Sequence, residues 1–131
     1  MKSEPDVFSL EDLHRENVAG WDGVRNYQAR KNLRAMRKGE NALFYHSSTY
    51  RPEVVGLMEI VKEAYPDPTA QEPGWDQVDV RYLKSFAHPL SLDKIKRIPA
   101  LHEMALLKNS RLSVQPVTPA EWTALMKILD P

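Results

Sequence analysis

Val54-Val55-Gly56-Leu57-Met58-Glu59-Ile60-Val61 is the stretch that decides the fold. It is apolar at successive positions, which predicts a strand covered on both faces. Gly56 inside it marks a bulge or a close backbone approach. Ahead of it, across a short turn at Ser48 to Pro52, Ala42 to Ser47 separates into two faces. Leu43, Tyr45 and Ser47 fall on one and Ala42, Phe44 and His46 on the other, so this too predicts an interior strand. Behind it, Tyr65-Pro66-Asp67-Pro68 forces an extended exit and a loop. Trp75 to Phe86 then alternates Val78, Val80, Tyr82 and Phe86 against Asp79, Arg81 and Ser85, the pattern of a half-buried strand.

The flanks supply helices and two lesser strands. Met1 to Ser3 reads as the end of a strand stopped before Pro5, whose ring lacks a donor. Ser9 caps a short helix over Leu10 to Arg15, and Asn17 to Val24 is a loop. A helix begins near Asn26 with Ala29, Leu33 and Met36 on one side, and Gly39 ends it. Ser91 caps Leu92 to Arg97, and Leu101 to Leu107 is a short helix or turn. Leu112 to Val117 reads as another strand with Pro116 at its end. Thr118-Pro119-Ala120-Glu121 is a capping box that opens a last helix, with Trp122, Leu125, Met126 and Leu129 on its apolar face. With no βαβ alternation, the reading is α+β: one domain over residues 1–131, built around a small curved sheet or barrel.

Composition narrows the function. The chain has 131 residues, 42% hydrophobic and 27% charged, as in an ordinary globular domain. It has no apolar run near the roughly 20 residues of a membrane helix. Its first residues do not begin a signal peptide, and it has no cysteine, so a cytoplasmic protein without a membrane is expected. Lys and Arg number 18, as do Asp and Glu, so the net charge is zero. That excludes a general electrostatic DNA coat and leaves recognition of a few nucleotides through a pocket and a local basic patch.

That patch is easily found. Trp21 to Arg30 packs two aromatics, two arginines and a turn glycine into ten residues, and Arg25 to Lys38 holds six cations and no acid. Rings beside cations suit stacking on a base and holding the adjoining phosphate. Trp21 and Tyr45 are candidate flat walls, with Arg25 on a phosphate or base edge. Asn26, Ser3, Ser47 and Ser113 are candidate polar groups, and Glu4 a candidate acceptor. Arg25, Arg30 and Arg34 are candidates for the nucleic-acid backbone. Each has a plainer reading: Trp21 plugs the end of a barrel, the basic stripe is a solvated helix face, and His46 is a core histidine satisfied by the backbone.

Catalytic and metal chemistry find little support. His46 and Ser47 are adjacent on a strand and point to opposite faces, so they form no nucleophile–base pair. His14, His46, His88 and His102 lie far apart, with neither an i, i+4 pair nor an HExxH. Glycine-rich phosphate loops are absent as well. No catalytic residue, metal or cofactor is expected.

Six ordered motifs carry a family resemblance: Lys2-Ser3-Glu4-Pro5, Trp21 to Arg30, Phe44-Tyr45-His46-Ser47, Tyr65-Pro66-Asp67, Val78-Asp79-Val80 and Arg111 to Val117. Together they resemble the EVE-domain family over nearly the whole length. The resemblance implies a PUA-like mixed or antiparallel β pseudo-barrel with flanking helices, related to YTH and ASCH domains. It implies a reader of modified bases in DNA or RNA, associated in bacteria with modification-dependent restriction. On that likeness the pocket is lined by Ser3 and Glu4, by the Trp21 to Asn26 loop with Val24 and Arg25, by Tyr45, His46 and Ser47 of the Phe44 to Ser47 strand, and by Arg111 to Ser113. Family members carry a few residues before this first motif, including a Tyr-Trp-Leu-like segment, whereas Met1 directly precedes Lys2 here.

The function expected is a non-enzymatic module that inserts a modified or flipped-out base between aromatic walls. Stacking contributes about 1–3 kcal/mol per base, a modest sum that leaves room for an effector protein partner. The alternative is an enzyme acting on a nucleobase or small nucleotide, with Glu4, His46 or Asp79 converging in the same cavity. A third reading, a protein–protein adaptor, calls for an exposed apolar patch elsewhere.

Overall fold

The two-sided apolar stretch becomes the centre of a sheet. A computed structural model describes residues 1–131. Its strands are β1 (Lys2–Ser3), β2 (Val18–Gly20), β3 (Asn41–His46), β4 (Glu53–Pro66) and β5 (Asp76–Ser91). They lie in the order β1-β3-β4-β5-β2, with β1 parallel to β3 and the other pairs antiparallel. The helices are α1 (Leu10–Glu16), α2 (Tyr27–Ala35), α3 (Leu92–Ile95), α4 (Ala105–Lys108) and α5 (Pro119–Leu129), with a 3₁₀ turn at Pro99–Leu101.

Both faces of the sheet are clad. Phe44, Val55, Met58, Ile60, Val78 and Val80 pack with α1 and α2 through Leu10, Leu13, Ala29 and Leu33. Leu43, Tyr45, Val54, Phe86 and Leu90 pack with Ile95, Leu101, Leu106, Leu125 and Leu129 on the other face. The bulge expected at Gly56 is present. Gly56 pairs with Phe44 and Val54 with Tyr45, which leaves Val55 as the inserted residue and turns it to the Met58 face. A close approach accompanies it: a Cβ at Gly56 would lie 2.5 Å from Leu10 Cδ2 and 2.9 Å from the Lys84 carbonyl.

Several local readings hold. Ser9 and Thr118 each complete a capping box, Asn26 caps α2 through Ala29 N–H, and Ser91 caps α3. Other expectations need correction. The sheet is mixed and is not closed into a barrel. Its edges, β1 and β2, are two and three residues long and lie at opposite ends of the order. Leu112 to Val117 is not a strand. Its carbonyls serve Lys2 N–H (at Ser113) and Asn32 Nδ2 (at Val114), while buried Leu112 and Val114 fill the core. Asn17 to Val24 is not all loop, because Val18–Gly20 pairs with Asp79–Arg81. Helix α2 stops at Ala35, before Gly39, which at φ +94° instead makes the turn into β3. Strands β4 and β5 outrun their apolar cores because the hairpin keeps pairing to Tyr65–Gln77 and Pro66–Asp76.

Candidate nucleic-acid interface

The Trp21–Arg25 loop is held by one carboxylate. Trp21 N–H donates to the Val78 carbonyl at 2.7 Å, anchoring the loop to β5. Gly23 follows at φ +79°, a left-handed conformation that suits glycine. Its N–H donates to Asp67 Oδ2 at 2.9 Å, and Arg25 Nη1 donates to the same oxygen at 2.9 Å. Asp67 Oδ1 accepts from Thr69 N–H and Oγ1, each at 2.7 Å. Burial pushes this carboxyl up, but the hydrogen bonds from Thr69, Gly23 and Arg25 outweigh it and hold it down at about 2. The Tyr65-Pro66-Asp67 turn is thus the clasp of the aromatic loop.

The indole is largely core. Trp21 is 7% exposed, edge-on to Phe44 at 5.2 Å and to Phe8 at 6.4 Å. It also lines a hollow of about 510 Å³ with Lys2, Ser3, Phe8, Asp22 and Gln77. A second hollow of about 740 Å³ takes in Glu4, Tyr45, Ser47, Arg111 and Ser113. The two share Lys2, Ser3, Val7 and Asp22, so they adjoin across β1. Trp21 and Tyr45 therefore do not face each other across one cavity; they belong to the core clusters on opposite faces of the sheet. This follows from strand alternation, since Tyr45 points away from Phe44 and Phe44 is the ring Trp21 packs on.

Backbone pairing draws the serines together. Ser47 N–H donates to the Ser3 carbonyl at 2.9 Å, Lys2 N–H donates to the Ser113 carbonyl at 2.8 Å, and Ser3 Oγ donates to the Phe8 carbonyl at 2.6 Å. Lys2 Nζ donates to the Ser110 carbonyl at 2.8 Å, and burial lowers its pKa. Burial first, then Asp93, pushes the Tyr45 phenol up to about 12, so it remains a neutral hydroxyl.

The other candidates lie apart from these hollows. Val24 is buried in the core, and Asn26 spends its side chain on the α2 cap. His46 Nε2 accepts from Leu10 N–H at 3.1 Å, the backbone-satisfied histidine weighed from sequence. Burial lowers its pKa against the upward pull of Glu53 and Glu11. Arg25 lines a separate hollow with Thr69, Gln71, Glu72 and Trp75. Arg30 donates to the Gly74 carbonyl at 2.8 Å and lies 4.9 Å from the Tyr27 ring and 5.1 Å from Trp75. Arg34 pairs with Asp76 at 2.5 Å. Arg30 and Arg34 therefore pin the Gly74–Asp76 segment against α2.

Sequence reading missed Lys2, Phe8 and Gln77 as lining groups, and Tyr27 stacked on Trp75 at 5.2 Å. Lys2 sat inside a motif already singled out, and Asp22 lies in the Trp21 to Asn26 loop that the resemblance placed at the pocket; Gln77 carried no local signal. No three His, Asp or Glu side chains are grouped to hold a metal ion, and no helix is long and apolar enough to cross a membrane.

A mixed five-stranded sheet clad by helices, with paired polar hollows beside its short parallel edge, defines an α+β domain with an open sheet. The chain belongs to the EVE domain family, which it matches over residues 1–128. It is 39% identical to mouse thymocyte nuclear protein 1, covering 98% of this chain and 71% of that protein. A solved structure from Pseudomonas syringae superposes with TM-score 0.91 at 43% identity, covering 98% of this chain and 96% of that one. The human THYN1 protein in complex with 5-methylcytosine-containing DNA superposes with TM-score 0.93 at 38% identity, covering all of this chain and 96% of that one.

Proposed function

We propose that this chain is a non-enzymatic reader of a modified base in nucleic acid, with the base seated in the Trp21 hollow. The observation that carries the reading is the whole-chain likeness to human THYN1, solved with 5-methylcytosine-containing DNA. The hollow supports it with an indole wall, Phe8, and the oriented polar groups Ser3, Asp22 and Gln77. Its volume falls within the range of small-ligand sites. The adjoining hollow, lined by Lys2, Arg111, Ser47 and Ser113, suits the sugar and phosphate of the same strand. One aromatic wall and few cations imply modest affinity and a preference for unpaired or weakly paired sites, where extrusion costs least. The enzyme alternative needs convergent acids and bases, yet of Glu4, His46 and Asp79 only Glu4 lines either hollow.

The test is an anisotropy titration of labelled single-stranded and duplex DNA and RNA, each with cytosine or 5-methylcytosine at one position. Wild-type binding should favour a modified strand, and Asp22→Ala and Arg111→Ala should weaken it severalfold with unfolding unchanged. Equal binding by wild type and both variants would refute this site.

A further inference from the structure

Three side chains beside the Trp21 hollow form a hydrogen-bonded chain whose direction is settled by chemistry. Tyr65 Oη lies 2.5 Å from Asp79 Oδ1 and 2.5 Å from Gln77 Nε2. An ionised carboxylate only accepts, so the phenol donates to Asp79 and its oxygen must accept from the Gln77 amide. That order places the Gln77 nitrogen toward Tyr65 and settles which way round the amide stands. It also leaves Gln77 Oε1 with no partner in the protein, although the residue is only 5% exposed. No buried side-chain polar atom is left sealed and unpartnered, so this oxygen keeps contact with solvent, and the hollow that Gln77 lines with Trp21 is the cavity beside it. The amide lies over the bare backbone of Gly20, where a Cβ would overlap its nitrogen and sit 3.0 Å from Cδ.

We propose that Gln77 Oε1 reads the exocyclic amine of the bound base, which makes this hollow selective for amino-bearing bases, cytosine or adenine in type, over their keto counterparts. The inference rests on the base-reader assignment and adds the edge that is read. A buried neutral acceptor facing an N–H₂ group gains a hydrogen bond, whereas facing a carbonyl it is left opposite another acceptor. Tyr65 and Asp79 act as positioning residues, since they hold the amide without lining the hollow. The Lys62 ammonium, 3.9 Å from the centre of the Tyr65 ring, helps hold that ring in place. The hydrogen bond to Asp79 is the main influence raising the Tyr65 pKa, as a donating phenol requires.

5-Methylcytosine and thymine share the 5-methyl group and differ on one edge, amine against carbonyl at position 4 and bare nitrogen against N–H at position 3, so the Gln77 variants isolate the part of the preference read at position 4. Two single-stranded oligonucleotides identical but for that base should differ about tenfold in wild-type affinity, one hydrogen bond's worth. Gln77→Met should reduce the difference to less than about twofold, the level at which no hydrogen bond is read. Gly20→Ala, whose methyl displaces the amide while residue 77 stays glutamine, should do the same, and thermal unfolding would verify that both variants fold. Tyr65→Phe should give an intermediate ratio by freeing the amide to turn over. If wild type binds both strands equally, or Gln77→Met keeps the full preference, the inference falls while the reader stands. If wild type binds neither strand, the reader assignment falls with it.

Discussion

Replacing Asp67 with asparagine should loosen the aromatic loop by an amount the structure allows to be worked out. Its carboxylate takes four hydrogen bonds, from Gly23 N–H, Arg25 and both donors of Thr69, which hold its pKa at about 2 against an ordinary 3.8. Nearly two units at 1.36 kcal/mol each is about 2.5 kcal/mol of folding stability carried by the ionised form. The folded pKa is the depressed one. The contribution is therefore complete above pH 3.8 and is lost as pH falls through about 2. The asparagine would also turn an amide N–H₂ toward one pair of donors. Urea unfolding of wild type and Asp67→Asn at pH 7 should differ by about 2–3 kcal/mol, equivalent to about 10 °C in Tm. The gap should narrow steadily below pH 4 as wild-type Asp67 takes up its proton. A gap below about 0.5 kcal/mol at pH 7, the size of a neutral surface change, would refute the clasp. A larger gap that stays constant down to pH 2 would refute the electrostatic account of it.

Other substitutions probe the same framework. Trp21→Ala should cost about 3–5 kcal/mol in urea, because the ring packs on Phe8 and Phe44; Trp21→Phe, which keeps an aromatic ring there, should cost markedly less. Gly56→Ala should destabilise by about 1–3 kcal/mol, since its new methyl meets Leu10 and the rigid Lys84 carbonyl; unchanged unfolding would show that the bulge has slack. His46 must be neutral at Nε2 to accept from Leu10 N–H, and its folded pKa lies below the ordinary 6.5. Stability should thus be full above pH 6.5 and decline below it, and His46→Gln should flatten that limb in thermal scans.

Much of this molecule was legible in its chain. The uninterrupted apolar run around Gly56 predicted a doubly covered strand, and β4 lies between β3 and β5 with a core on each face. Ser9, Asn26, Ser91 and Thr118 announced their caps because capping is local chemistry within four residues. The family motifs pointed to the loop and strands that gather around the hollows.

Long-range pairing was beyond such reading. Leu112 to Val117 has a strand's alternation but forms no ladder: the edge beside it, β1, is only two residues long, and its carbonyls go to Lys2 N–H and to the Asn32 side chain. Arg25, Arg30 and Arg34 are phosphate candidates by sequence; that they also hold Asp67, Gly74 and Asp76 could not be read there, because those partners lie some 40 residues further on. Gln77 drew no notice in sequence, because its role depends on Tyr65 and Asp79 across a hairpin and on Gly20 from another strand. Periodicity and capping act over a turn or a pleat, so the sequence by itself determined the helix caps, the three long strands β3, β4 and β5, and the family. Which charges neutralise one another, which ring is sealed and which amide faces the hollow depend on atoms brought together only when the sheet forms, and those the tertiary structure decided.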